Sequence, residues 1–103
     1  MTAVLVIDAH PNPDSLCTAL AARYADAARQ AGADVTVLAL RDLRFDPVLH
    51  QGYRGEQPLE PDLLRAQGLT ESSAHVCLVT PLWWGSVPAL LKGFFDRGFQ
   101  RGW

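Results

Sequence analysis

The sequence predicts an α/β domain on a parallel sheet of three strands in the order 2-1-3, with flanking helices. Two observations carry this prediction. The runs Ala3–Ile7, Val35–Leu40 and Val76–Val79 are short and apolar, as strands covered on both faces tend to be in parallel sheets. Helical patterns separate them, so the order is β-α-β-(loop, α)-β-α, the alternation of an α/β fold. In a doubly wound sheet strand one lies between strands two and three. The loops after strands one and three, Ala9–Ser15 and Pro81–Val87, then meet at the switch point, where such sheets bind ligands.

Each element has its own signal. After the first strand, Pro11 and Pro13 forbid regular structure, and Asp14 or Ser15 is placed to cap a helix. That helix is predicted from Leu16 to Ala31, with Leu16, Leu20, Tyr24, Ala27 and Ala31 on the apolar side and Arg23, Asp26 and Arg29 on the wet side. Gly32 is placed to stop it. The second strand completes a βαβ unit, whose crossover is right-handed. Arg41 to Pro61 is a polar, irregular segment containing Phe45, Pro47, Gly52, Tyr53, Gly55 and Pro58. It is too long for a plain connection and is expected to cover something or contact a partner. A short helix is predicted from Pro61 to Thr70, with Leu63 and Leu64 inward and Gly68 weakening it. The third strand runs from His75 to Thr80. The last helix starts at Pro88, suited to a first helical position. It carries Leu90, Leu91, Phe94, Phe95, Phe99 and Trp103, with Lys92 and Arg97 on its wet face.

Composition limits the function classes. At 103 residues, 49% of them hydrophobic, the chain has room for one packed domain, 1–103. A formal net charge of -2 gives no reason to expect nucleic acid or an anionic membrane as partner. No apolar run approaches a membrane span, and no basic segment precedes the first strand, so the cytoplasm is expected. Cys17 and Cys77 lack motif spacing and are expected to be reduced, largely buried thiols.

Neither loop matches a dinucleotide or Walker fingerprint. The first can still hold a phosphate, through the Ser15 hydroxyl and the amides near Ser15, Leu16 and Cys17 at a helix N-terminus, with His10 close by. A capped helix with no ligand is the commoner outcome for such a turn. In the second loop, Trp83 and Trp84 suit a flat ring whose polar edge meets backbone amides. Packing in a core or a subunit interface accounts for them equally well. Gly85-Ser-Val-Pro-Ala89 is not a nucleophile elbow, since alanine stands at the fifth place. His10, His50 and His75 have no metal-ligand spacing. Asp8 is expected to be a structural carboxylate.

Three stretches together resemble a known family. His10-Pro-Asn-Pro-Asp-Ser15 is similar to the opening flavin loop of the NAD(P)H:quinone oxidoreductases. Pro81-Leu-Trp-Trp-Gly-Ser-Val-Pro-Ala-Leu-Leu-Lys-Gly-Phe-Phe-Asp-Arg97 is similar to their second loop and following helix. Arg41-Asp-Leu-Arg-Phe-Asp-Pro-Val-Leu49 resembles the segment after their second strand. The resemblance implies a flavodoxin-like fold and a bound flavin, FMN or FAD, with NAD(P)H as co-substrate and a quinone-like acceptor. By motif position, His10, Ser15, Leu16 and Cys17 would hold the phosphate end. Pro81, Leu82, Trp83 and Trp84 would face the isoalloxazine ring. It also implies a homodimer. Family chains continue beyond Trp103 with a Gly-rich flavin loop and the tyrosine and histidine thought to assist hydride transfer. The chain is therefore expected to be the N-terminal half of such an enzyme, apparently truncated, with strand three as an exposed edge. The rival readings are a non-catalytic flavodoxin-like fragment acting through association and, ranked lower, an electron-carrying flavodoxin.

Overall fold

In a computed structural model that describes residues 1–99, the three strands form one parallel sheet in the order β2-β1-β3. They are β1 (Ala3–Asp8), β2 (Asp34–Ala39) and β3 (His75–Val79). The helices are α1 (Leu16–Gln30), α2 (Pro61–Ser72) and α3 (Ala89–Gly98). The β-branched, apolar run at the start of the chain takes the central position, where both faces need covering, and Val4–Ile7 are all buried. Successive side chains point to opposite faces. Leu5 and Ile7 join Leu38, Leu40, Leu63, Ala66, Leu91 and Phe94 in one core, while Val4 and Val6 meet Ala21 and Ala25 in the other. The sheet thus carries α1 on one face and α2 and α3 on the other.

Two expectations about burial and one about a helix start change. The large side chains Leu16, Leu20 and Tyr24 of α1 are exposed, and its buried residues are Ala21 and Ala25. Alanines let the helix lie close over Val4 and Val6, and the bulkier residues fall outside that contact. In α2 only Leu63 of the Leu63–Leu64 pair is buried, partnered by Ala66 three residues on. β3 is the sheet edge, the exposed position expected of strand three, and Val76 and Leu78 are accordingly 41% and 40% exposed although their apolar run by itself reads as that of a covered strand. Among the described residues no element pairs with its outer side. Pro88 is the cap residue of α3 rather than its first helical residue. The expected placement of Trp103 lies outside the described residues.

The largest correction concerns Arg97. Read as a wet-face residue, it is 1% exposed. Its guanidinium donates from Nη1 to the Asp46 carbonyl at 2.5 Å and from Nη2 to the Pro58 carbonyl at 3.0 Å and Glu60 Oε1 at 2.6 Å. The irregular stretch from the 3₁₀ turn Leu40–Asp42 to Glu60 is thereby strapped to α3. Leu43, Phe45 and Leu59 of that stretch pack on the larger core, with the Phe45 ring edge-on to Phe94 at 6.3 Å. The segment expected to cover something therefore covers the α2–α3 face. Gly93 allows the close approach, since a Cβ there would lie 2.7 Å from the Pro47 carbonyl oxygen and 2.9 Å from its Cα.

Candidate functional site

Strand register launches the two loops side by side. Asp8, the last residue of β1, pairs with Val79, the last of β3, and the Ala9 amide donates to the Val79 carbonyl at 2.9 Å. The loops after β1 and β3 therefore leave the same rim of the sheet from hydrogen-bonded neighbours. They stay together. The imidazole of His10 and the indole of Trp83 meet edge to face, centroids 5.4 Å apart and planes at 85°.

The first loop is held from beneath. Asp8 is 2% exposed. Its Oδ1 accepts the His10 amide at 3.1 Å, and its Oδ2 accepts the Thr18 hydroxyl at 2.8 Å and Arg41 Nη1 at 2.7 Å. Arg41 Nη1 also reaches the His10 carbonyl at 3.2 Å and Thr18 Oγ1 at 3.3 Å. Burial pushes the Asp8 carboxyl up. The hydrogen bonds from Arg41, Thr18 and the His10 amide together outweigh that and hold it below the ordinary carboxylate value. The structural role expected of Asp8 is what the structure shows.

Above this ion pair the loop closes on itself. His10 Nδ1 accepts the Asn12 amide at 2.9 Å, and Asn12 Oδ1 accepts the Asp14 amide at 2.9 Å. With Nδ1 an acceptor, the neutral ring carries its hydrogen on Nε2. Ser15 is the cap of α1, its Oγ accepting the Thr18 amide at 3.2 Å. The Thr18 proton is committed to Asp8, so the 3.0 Å contact between the two hydroxyls has Ser15 donating. Among the described residues the amides of Leu16 and Cys17 have no acceptor, as expected of the first two helical positions. Leu16 stands exposed at the mouth, and Cys17 is a free, half-buried thiol, as is Cys77.

The second loop is a two-residue turn. The Trp83 amide donates to the Ser86 carbonyl at 2.9 Å and the Ser86 amide returns to the Trp83 carbonyl at 3.0 Å. Both central residues have positive φ, 55° at Trp84 and 68° at Gly85, the signature of a type I′ turn. Glycine accepts this readily. A tryptophan there carries strain of about 1–2 kcal/mol, yet Trp84 is fully exposed and gains no packing in return. Trp83 is 44% exposed beside His10, and Leu82 is exposed just before it. Pro81 is half-buried at the loop's start.

His10 and Trp83 are thus in direct contact, Ser15, Leu16 and Cys17 head α1 on the first loop's side, Pro81 and Leu82 lead into the opposing turn and Trp84 lies at its centre. Thr18 and Arg41, which support the first loop, were not among the sequence candidates. Thr18 had a signal, since it stands three residues after the cap. Arg41 is 33 residues from Asp8 and had none. An open groove of about 400 Å³ lined by Pro47, Val48, Leu49, Ala89, Lys92, Gly93 and Asp96 shares no residue with this cradle. The cradle is a shallow junction of two loops, with one flat flank and one set of free amides.

A parallel sheet in the order 2-1-3, with two loops side by side at its switch point, has the layout of a doubly wound α/β protein. Within that class the sequence profile described as "Flavodoxin-like fold" matches residues 2–103, and the chain belongs to that family. It is 31% identical over 102 residues to an uncharacterized NAD(P)H oxidoreductase of Haemophilus influenzae, covering 95% of this chain and 50% of that one. The solved NAD(P)H:quinone oxidoreductase from Methanothermobacter marburgensis superposes with a TM-score of 0.81 at 25% identity, covering 99% of this chain and 55% of that one. An NADH:FMN oxidoreductase solved in its apo form superposes with a TM-score of 0.69 at 26% identity, covering 93% and 49%. The chain spans about half the length of the curated relatives it matches. Among the described residues no helix is long and apolar enough to cross a membrane.

Proposed function

We propose that the chain is the cofactor-holding N-terminal portion, a single domain over 1–103, of a flavin-dependent NAD(P)H:quinone oxidoreductase. The observation that carries this reading is the 5.4 Å contact between His10 and Trp83, which makes one cradle of the two loops. The residues fit the group. The amides of Leu16 and Cys17 and the Nε2–H of His10 are donors suited to the phosphate end of FMN or FAD, with Ser15 capping the helix that presents those amides. Trp83, Trp84, Leu82 and Pro81 offer a flat apolar flank for the ring. The exposed, strained indole of Trp84 is the kind of feature that persists where a ligand uses it.

A bound flavin would supply two-electron redox chemistry between NAD(P)H and a quinone-like acceptor. This chain's residues bind, orient and shield. A homodimer in the cytoplasm accompanies this reading.

Colour is the test. The purified full chain is expected to be yellow, or to turn yellow on adding FMN or FAD, and to bleach with NADPH. A colourless protein that takes up neither flavin contradicts the reading.

A second reading, a non-catalytic module acting through association, is favoured by one observation: the β3 edge with Val76 and Leu78 exposed. Such an edge is a template for pairing with another chain. Flavin uptake distinguishes the two.

A further inference from the structure

Below the first loop lies a charge that the proposed site must contend with. The Asp8 carboxylate is 2% exposed, and only the Thr18 hydroxyl separates it from Ser15 Oγ: Thr18 Oγ1 is 2.8 Å from Asp8 Oδ2 and 3.0 Å from Ser15 Oγ. Ser15 caps the helix whose free Leu16 and Cys17 amides face the loop. A buried negative charge that close to a helix N-terminus offsets the positive potential of the dipole and repels an incoming anion. One group cancels it. Arg41 Nη1 stands 2.7 Å from Asp8 Oδ2, and the same nitrogen bonds the His10 carbonyl and Thr18 Oγ1.

We propose that Arg41 is a positioning residue for the cofactor's phosphate: by neutralising Asp8 and tying the His10 carbonyl to Thr18, it lets the head of α1 accept a dianionic group. The inference rests on the flavin reading and deepens it. Arg41 acts through Asp8 and Thr18, without touching the cofactor. It follows that the Asp8–Arg41 pair sets how strongly the site distinguishes a phosphorylated flavin from the same ring without phosphate.

The experiment is a fluorescence titration of the full chain at pH 8 with FMN and, separately, riboflavin, in wild type and three variants. The readout is the ratio of the two affinities. Arg41→Ala is expected to lower the FMN-to-riboflavin preference by about tenfold, the order expected for one unpaired charge acting through a partly screened medium over several ångströms. Asp8→Asn, which leaves Arg41 uncompensated, is expected to raise the preference. The neutral pair Asp8→Asn/Arg41→Met is expected to return it to within about threefold of wild type. A purely structural role weakens both flavins in parallel and does not change sign between the two single variants. Parallel loss, or a preference unchanged in both single variants, overturns the inference while leaving flavin binding intact. Should Arg41→Ala fail to fold, by circular dichroism, the rise in Asp8→Asn and its reversal in the double variant decide alone. Wild-type protein that binds neither flavin removes the underlying reading, and this inference with it.

Discussion

Arg97 Nη2 lies 2.6 Å from Glu60 Oε1, so a guanidinium buried in the last described helix holds the end of a loop 37 residues earlier in the chain. Two further bonds from the same fork, to the Asp46 and Pro58 carbonyls, close the loop at both ends. Arg97→Met leaves the Asp46 and Pro58 carbonyls without this donor and Glu60 without its charged partner, the Asp46 amide remaining on Glu60 Oε2, and is expected to cost about 3 kcal/mol in urea unfolding. Arg97→Lys is expected to recover less than half, because one ammonium cannot reproduce the planar fork. A loss below about 1 kcal/mol for the Met variant contradicts the strap.

The strap also sets an acid limb. The hydrogen bond from Arg97 holds the Glu60 carboxyl below its ordinary value. A depressed folded-state value adds stability that is complete above the unfolded-state value, about 4.3, and is lost as pH falls through the folded-state value. Glu60→Gln is therefore expected to be less stable than wild type at pH 7, with the gap narrowing as pH drops below about 4. Melting temperatures between pH 7 and pH 3 check this. A gap that widens on acidification contradicts it.

Two helical glycines are expected to respond oppositely to alanine. At Gly68 in α2 a Cβ meets nothing within 4 Å, so Gly68→Ala is expected to stabilise by about 0.5–1 kcal/mol. At Gly93 in α3 the new methyl meets backbone of Pro47, and Gly93→Ala is expected to destabilise by about 1–3 kcal/mol despite the better helix former. Chemical denaturation of the pair reads the difference directly.

The left-handed indole supplies a stability–function contrast. Trp84→Gly is expected to raise the stability of the ligand-free protein by about 1 kcal/mol, since glycine accepts a φ of 55° without strain. The same change removes an aromatic flank and is expected to weaken FMN binding. A variant both less stable and unchanged in binding contradicts the role given to this turn.

The sheet and its two loops were legible because each rests on local signals: continuous apolar runs, a serine cap, and prolines that end regular structure. The rim geometry followed from strand order, which puts both loops at one end of the sheet; the His10–Trp83 contact within it was not legible beforehand. Side-chain burial was less legible. The Leu16, Leu20 and Tyr24 stripe drew the eye by size, whereas α1 packs through Ala21 and Ala25, small residues that a hydrophobicity pattern underweights. Arg97 looked like a solvated cation because two of its acceptors are backbone carbonyls of an irregular loop, and carbonyls leave no mark in a sequence. Arg41 and Asp8 pair across a crossover for the same reason: proximity in space came from register, which no local window contains.

The central claim is that the turns after β1 and β3 form one flavin cradle. The most direct measurement is the fluorescence of FMN titrated with the purified full chain, alongside a His10→Ala/Trp83→Ala variant. Saturable quenching at one flavin per chain, lost in the double variant with the fold retained, is the expected result. FMN that stays as bright as free flavin at every protein concentration would contradict it.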